Sequence, residues 1–272
     1  MGFDSLMPNP VSVIYMSGKI LVIGGDARID RLCTSMQRDG LDVRRYTEDM
    51  ALKTALSGAD IVILGLPVST DGETVSAPQL LRPILMKDLF RLMNNHQLLL
   101  GGKIGEKART LLEVYGIPYV DYLTRDEFEI ANAIPTAEGA VQIAMEELPI
   151  TLNGANAVVT GYGRIGKYLS KLLRALGAKT TVFARKPSDF ALIKSAGLTA
   201  APYGMLPEAA AYADVIFNTV PAKVIDKNVL VNMRGGLIID LAGSGGGVDT
   251  ETAGEIGVSV IRALSLPGKV LC

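Results

Sequence analysis

In the first half of the chain, short Val/Ile/Leu runs alternate with longer stretches whose apolar residues recur every three or four positions. The runs Lys19–Ile23, Leu41–Tyr46, Asp60–Leu64, Gln97–Leu100 and Pro118–Val120 read as strands, and Arg28–Arg38, Gln79–Met93 and Gly105–Tyr115 as helices. The second half repeats the alternation with strand-like runs at Ala157–Thr160, Lys179–Ala184, Leu198–Ala201, Asp214–Asn218, Gly236–Asp240 and Ser259–Arg262. Near-continuous apolar strands separated by amphipathic helices predict parallel sheets covered on both faces. The segment Thr124–Leu148, punctuated by Pro135 and Gly139, reads as a crossover helix with an interrupted middle. We therefore expect two doubly wound parallel-sheet α/β domains, at residues 19–130 and 151–272, joined by a helix at 131–150. Residues 1–18 read as a disordered or added start.

Composition supports that picture and narrows the function. Apolar residues make up 49% of the 272 and aromatics 6%, with no Trp, so the cores must be aliphatic. The 27 basic and 28 acidic side chains nearly cancel and form no long block of one sign, which argues against a nucleic-acid partner. Apolar runs stay well short of the roughly 20 residues that cross a bilayer, so no membrane partner is expected. Cys33 and Cys272 make no disulfide framework, and a reducing cytoplasm suits them. No metal is expected.

The chemistry begins at Gly161-Tyr162-Gly163-Arg164-Ile165-Gly166, which follows the apolar Val158-Val159-Thr160 at once and opens a helical stretch ending before Gly177. Strand, glycine loop and helix in this order form a Rossmann dinucleotide fingerprint. Gly161 permits the tight turn, Gly163 lets the backbone approach a pyrophosphate, and Gly166 lets the helix pack on the strand. The helix N-terminus offers its N–H groups to the phosphates. At the end of the next strand, where an NAD site places Asp or Glu, stand Arg185 and Lys186, with Ser188 close behind. Cations there suit a ribose 2′-phosphate, so NADP is expected over NAD, with NAD possible. Asn218, Thr219 and Pro221 follow one later strand, and Asp240, Leu241 and Ala242 another. Both loops should flank the nicotinamide and its ribose, since ligands lie beyond the carboxyl ends of parallel strands.

The first half also has a strand-to-helix glycine turn, Ile23-Gly24-Gly25-Asp26-Ala27-Arg28, but without the third glycine. It is expected to face substrate, with Asp26 at the turn and Arg28 forking onto a carboxylate. Ser69 and Thr70 end another strand of that half, and Thr136 and Glu138 follow Pro135 at the expected junction. Such a junction is where a two-domain dehydrogenase places its active-site cleft. Each of these residues has a plainer alternative: a surface ion pair for Arg28, a cap for Ser69 and Thr70, a helix start for Thr136 and Glu138. His96, the single histidine, reads as a polar turn residue.

Taken together, these segments resemble the dipicolinate synthase A subunits of spore-forming bacteria. The matching stretches are IGGDAR (Ile23–Arg28), LPVS (Leu66–Ser69), N-x-IPT-x-EG (Asn132–Gly139), GYGRIGK (Gly161–Lys167), AR (Ala184–Arg185), NTVP (Asn218–Pro221), IIDLAGSGGGVD (Ile238–Asp249) and LPGK (Leu266–Lys269). IGGDAR together with IPT-x-EG is the specific part. The resemblance implies a pyridine-nucleotide-dependent oxidation of a dihydrodipicolinate-type dicarboxylate to dipicolinate, in the mother cell of a sporulating bacterium. It also implies a partner, a flavoprotein-like B subunit. A homo-oligomer is expected as well. The family pattern continues past LPGK into a final helix, whereas this sequence reads Val270-Leu271-Cys272 and ends, which should loosen domain closure.

Aromatisation supplies much of the driving force of that oxidation, so the protein has mainly to orient the substrate and remove a proton. Glu138 is the candidate base, and Arg28, Ser69, Thr70 and Thr136 the candidates to hold carboxylates. Two alternatives stay open. A D-2-hydroxyacid dehydrogenase shares the two-domain build, but Gly243-Ser244 stand at its Arg position and no His follows His96. A cofactor-binding regulatory protein without turnover of its own is the other.

Overall fold

The computed structural model describes residues 18–243, 245–264, 266 and 267. The start before Gly18, Ser244 and the ending Val270-Leu271-Cys272 lie outside the described residues. The chain divides into two compact units, one up to Arg125 and one from Asp126.

The first unit runs β1 (Ile20–Ile23), α1 (Ala27–Arg38), β2 (Val43–Arg45), α2 (Leu52–Ser57), β3 (Ile61–Leu64), α3 (Met86–Leu92), β4 (Leu98–Gly101), α4 (Glu106–Val114) and β5 (Tyr119–Asp121). Its five strands are all parallel, in the order β2-β1-β3-β4-β5. Both β1 and β3 are buried at every position, as apolar runs without alternation require. One apolar cluster, with Leu64, Leu89, Phe90 and Leu112, packs on one face, and a second, with Ile20, Val22, Ile29 and Cys33, on the other. The strand order reverses between β1 and β3, which marks the topological switch point of this sheet.

The second unit opens with α5 (Asp126–Glu147) and continues β6 (Asn156–Thr160), α6 (Arg164–Ala175), β7 (Lys179–Ala184), α7 (Pro187–Ser195), β8 (Thr199–Pro202), α8 (Leu206–Ala210), β9 (Val215–Asn218), α9 (Lys227–Leu230), β10 (Leu237–Asp240), α10 (Thr250–Ile256) and β11 (Ser259–Arg262). Six parallel strands lie in the order β11-β10-β9-β6-β7-β8. Counted within the unit this is 3-2-1-4-5-6 in reverse, the dinucleotide-binding Rossmann order with its switch point between β6 and β9. Clusters around Leu169, Leu173, Val159 and Phe217, and around Phe183, Ile216 and Ile238, cover the two faces. Both halves are thus doubly wound parallel sheets, as the alternation predicted. Among the described residues no helix is long and apolar enough to cross a membrane.

Two elements differ from their sequence pattern. The expected helix Gln79–Met93 begins only at Met86. Pro83 disfavours helical backbone at Arg82, and the Glu48 carboxylate instead accepts the Leu81 and Arg82 N–H groups at 2.9 and 2.8 Å. The crossover helix is not interrupted: α5 is a single 22-residue helix through Pro135 and Gly139. Ala133, Ala137, Ala140 and Ala144 recur along one buried stripe, and α5 packs chiefly on α6 and also on β10. Close packing on neighbours keeps the helix continuous through a residue that lacks its own N–H.

Candidate active site

In the second unit, β6 ends at Thr160 and the chain turns at Gly161, whose φ of +93° suits glycine. A Cβ at Gly161 would lie 2.7 Å from Thr219 Oγ1, and one at Gly166 would collide with the Gly161 carbonyl. The first and third glycines are therefore demanded by close approach of helix and loop. Gly163 differs: a Cβ there would meet no atom within 4 Å. Its backbone faces open space at the N-terminus of α6, and no side chain caps that terminus. The loop thus fits a dinucleotide pyrophosphate, which needs bare backbone and uncapped N–H groups.

Three loop side chains point elsewhere. Tyr162 is buried in the core, where desolvation raises its phenol pKa, and Lys167 lies 5.6 Å from its ring centroid. Arg164 pairs with Asp126 at 3.4 Å and with Glu129, both in the first turn of α5. Ile165 packs against the core. For Tyr162, Arg164 and Ile165 the contribution available to a dinucleotide is main-chain.

At the end of β7, Arg185, Lys186 and Ser188 are exposed, with Lys186 at the N-cap of α7 and Ser188 in its first turn. Arg185 lines a cavity of about 470 Å³ with Tyr203, Gly204, Val220, Lys223 and Val224. Tyr203 is held above its usual pKa chiefly by burial, opposed by the Arg185 charge. The cavity lies beyond the carboxyl ends of β7, β8 and β9, on the adenosine side of a switch-point site. Tyr203 and Lys223 give no motif signal, and only the strand order brings them to Arg185.

Asn218 and Asp240, expected to meet cofactor, are 0% and 2% exposed. Thr160 Oγ1 donates to Asn218 Oδ1 at 2.6 Å, and Asn218 Nδ2 donates to Asp240 Oδ1 at 2.7 Å and to the Val220 carbonyl at 3.0 Å. Asp240 also accepts from the Ala242 and Gly247 N–H groups at 3.1 and 3.2 Å. This chain of bonds ties the ends of β6, β9 and β10 together, so both side chains shape the loops instead of presenting themselves. Thr219 Oγ1 donates to the Thr160 carbonyl at 2.7 Å, Leu241 and Ala242 are buried, and Pro221 is exposed.

On α5 the structure does not bring Thr136 and Glu138 together. Thr136 is buried and its hydroxyl donates to the Asn132 carbonyl at 2.7 Å, whereas Glu138, two residues on, is exposed. Positions two apart on a helix point to different faces.

In the first unit, Asp26 caps α1 by accepting from the Arg28 N–H at 3.0 Å. Arg28 Nε and Nη2 also donate to the Asp26 carboxylate, at 3.0 and 2.6 Å, and Nη2 donates to the Leu66 carbonyl at 3.0 Å. The Arg28 guanidinium holds the Asp26 carboxyl below its usual pKa. The two residues expected to meet substrate therefore already form a fork with each other. Ser69 Oγ donates to Asp71 at 2.9 Å and accepts from the Gly72 N–H, while Thr70 is exposed. Hydrogen bonds from Thr74 and neighbouring N–H groups hold the Asp71 carboxyl far below the usual range.

The glycine turn of this unit is closed by its own chain. Gly25 N–H donates to the Ser76 carbonyl at 2.9 Å, a Cβ at Gly24 would lie 2.9 Å from Ala77 Cβ, and Arg45 donates to the Gly24 carbonyl at 2.9 Å. That closure agrees with the missing third glycine. Tyr122 carries no signal in the sequence: burial pushes its phenol up to about 12, and Asp26 and Arg28 both act on it electrostatically. His96 is exposed in a polar turn, its N–H bonded to Asn94 Oδ1 at 3.0 Å.

Comparison with known proteins agrees with this division. Residues 19–123 match the model of the N-terminal domain of the dipicolinate synthase A subunit, and residues 122–256 that of the D-isomer specific 2-hydroxyacid dehydrogenase NAD-binding domain. The chain is 30% identical over 266 residues to the dipicolinate synthase A subunit of Bacillus subtilis (strain 168), covering 93% of this chain and 90% of that protein. The crystal structure of the dipicolinate synthase A subunit from Bacillus halodurans superposes with a TM-score of 0.84 at 26% identity, covering 93% of this chain and 92% of that one. The corresponding crystal structure from Bacillus subtilis gives 0.79 at 27% identity, with coverages of 94% and 93%. With an NAD-binding dehydrogenase domain in its second half and the family's own N-terminal domain in its first, the chain belongs to the dipicolinate synthase A-subunit family.

Proposed function

We propose that this chain is an NADP-dependent oxidoreductase that converts a dihydrodipicolinate-type dicarboxylate to dipicolinate. The observation that carries the cofactor half is the bare backbone at Gly163, facing open space at an uncapped helix N-terminus on the switch point of a Rossmann sheet. Family membership supports the substrate half.

Bound there, the nicotinamide ring supplies the hydride acceptor. The protein's own residues bind and orient. Backbone at Gly161, Gly163 and the first turn of α6 receives the pyrophosphate, while Arg185, Lys186 and Ser188 receive the ribose 2′-phosphate. Asn218 and Asp240 hold the loops after β9 and β10 in place from within. Arg28, Ser69 and Thr70 are assigned to substrate carboxylates. Glu138, the exposed carboxylate of its pair with Thr136, is assigned to the departing proton. Glu138 would take the proton that leaves the substrate ring as it becomes the aromatic dicarboxylate. The proposed partners are a second copy of this chain and the B subunit, and the proposed setting is the mother cell of a sporulating bacterium.

Calorimetric titration with NADPH and NADH tests the cofactor assignment. NADPH should bind more tightly, and Arg185→Asp should lose about 10- to 100-fold of NADPH affinity, since a charge-assisted contact is worth ~1.5–3 kcal/mol. Equal affinity of the parent protein for the two cofactors would overturn the assignment.

A further inference from the structure

We infer that Arg262, at the carboxyl end of β11, binds a substrate carboxylate, an inference that rests on the dicarboxylate oxidation proposed above. In the order β11-β10-β9-β6-β7-β8 the glycine loop follows β6. The cavity lined by Arg185 and Tyr203 lies on the β7 and β8 side. The ends of β9, β10 and β11 therefore form the nicotinamide side, where the oxidised carbon of a substrate must come.

Arg262 stands on that side and leans inward. It pairs in register with Asp240 of β10. Its Nη2 reaches across the end of β10 to the Gly243 carbonyl at 3.5 Å, and lies 3.7 Å from where a Cβ of Gly246 would be. A side chain reaching toward β9 in this way brings its charge over the loops that flank the nicotinamide side.

The Asp240 carboxylate shares the space at Gly246, its Oδ2 2.9 Å from that same Cβ position, but it forms no ion pair with Arg262. Among the described residues its guanidinium makes the one long bond to Gly243 and no ion pair. Asp240, the nearest carboxylate in register, already accepts from Asn218, Ala242 and Gly247 and is 2% exposed. Two other cations of this unit differ in being paired: Arg164 with Asp126 and Glu129, and Lys223 with Asp249 at 3.8 Å. An exposed guanidinium that has no ion pair among the described residues fits a planar carboxylate in two-pronged contact. A Cβ at Gly243 or at Gly245 would meet no described atom within 4 Å. A dicarboxylate has two anionic groups, and Arg262 answers one of them.

The test is calorimetric titration of the full chain, saturated with NADP, using dipicolinate and the monocarboxylate picolinate as probes. The parent should prefer dipicolinate. Arg262→Ala should weaken dipicolinate by about 10- to 100-fold, the range of a charge-assisted pair, and bring it close to picolinate. Arg262→Lys should fall between the two. NADPH affinity and the thermal midpoint should stay at parental values in both variants, since the side chain is exposed. If Arg262→Ala keeps the parental preference for dipicolinate, the assignment of Arg262 is wrong while the proposed function stands. If the parent binds neither probe, the dicarboxylate function and the role of Arg262 fall together. Arg262→Gln, which keeps the side-chain bulk, separates lost charge from lost packing: it should behave as Arg262→Ala does, and a parental preference in it would overturn the assignment.

Discussion

Substituting two glycines of one loop should give opposite outcomes, because the structure gives them different neighbours. Gly163 has φ −78°, which any residue adopts, and a Cβ there meets nothing within 4 Å. Gly163→Val should therefore cost the fold little beyond a poorer N-cap, under about 1 kcal/mol, or a midpoint shift of about 2–4 °C. It places two methyl groups where a pyrophosphate must touch backbone. Losing one charge-assisted contact costs ~1.5–3 kcal/mol, so NADPH affinity should fall about 10- to 100-fold or more. Gly166→Ala drives its Cβ into the Gly161 carbonyl, an atom of the main chain that cannot swing aside. Overpacking of that kind costs about 1–3 kcal/mol, so the midpoint should drop by about 2–12 °C even without cofactor. Calorimetric titration with NADPH and thermal unfolding of both variants read the two effects separately. If Gly163→Val binds NADPH as the parent does, the loop is a structural turn and the cofactor assignment collapses. If Gly166→Ala unfolds with the parent, contact between the start of α6 and the end of β6 is not what requires glycine there.

Two further substitutions probe other parts of the account. Asn218→Ala leaves the buried Thr160 hydroxyl without its acceptor and removes one of the three donors to Asp240, and should cost about 1–3 kcal/mol of stability in denaturant unfolding; an unchanged midpoint would show that the bond chain is not structural. Arg28→Ala should lower kcat/KM for the dicarboxylate by about one to two orders of magnitude with NADPH affinity unchanged, and equal turnover in steady-state assay would return Arg28 to a structural role, bonded to Asp26 and the Leu66 carbonyl.

The doubly wound sheets were legible because parallel strands buried on both faces carry a signature that needs no partner to be seen. Val158-Val159-Thr160 followed by Gly161 announces a buried strand and its turn from local sequence alone, and the burial of β6 agrees. The place of Arg185, just past the end of β7, was legible for the same reason. What was hidden depends on residues distant in sequence. Glu48 captures the backbone of Leu81 and Arg82 and delays α3. Asn218 looked like a cofactor ligand because it ends a strand, but Asp240 and Thr160, brought beside it by the sheet order, turn its amide inward. Arg164 likewise sits in a cofactor motif while its guanidinium answers carboxylates on α5. A motif fixes the path of the backbone more surely than the aim of its side chains.

On the proposed function, dicarboxylate oxidation and NADP reduction occur on this protein as one reaction. The direct measurement mixes the full chain with NADP and freshly prepared dihydrodipicolinate-type substrate, with and without the B subunit, and follows nicotinamide reduction while quantifying dipicolinate. NADPH and dipicolinate should appear together, one for one, and faster with NADP than with NAD. Formation of dipicolinate without matching NADPH, or no reduction of NADP even with the B subunit present, would contradict it.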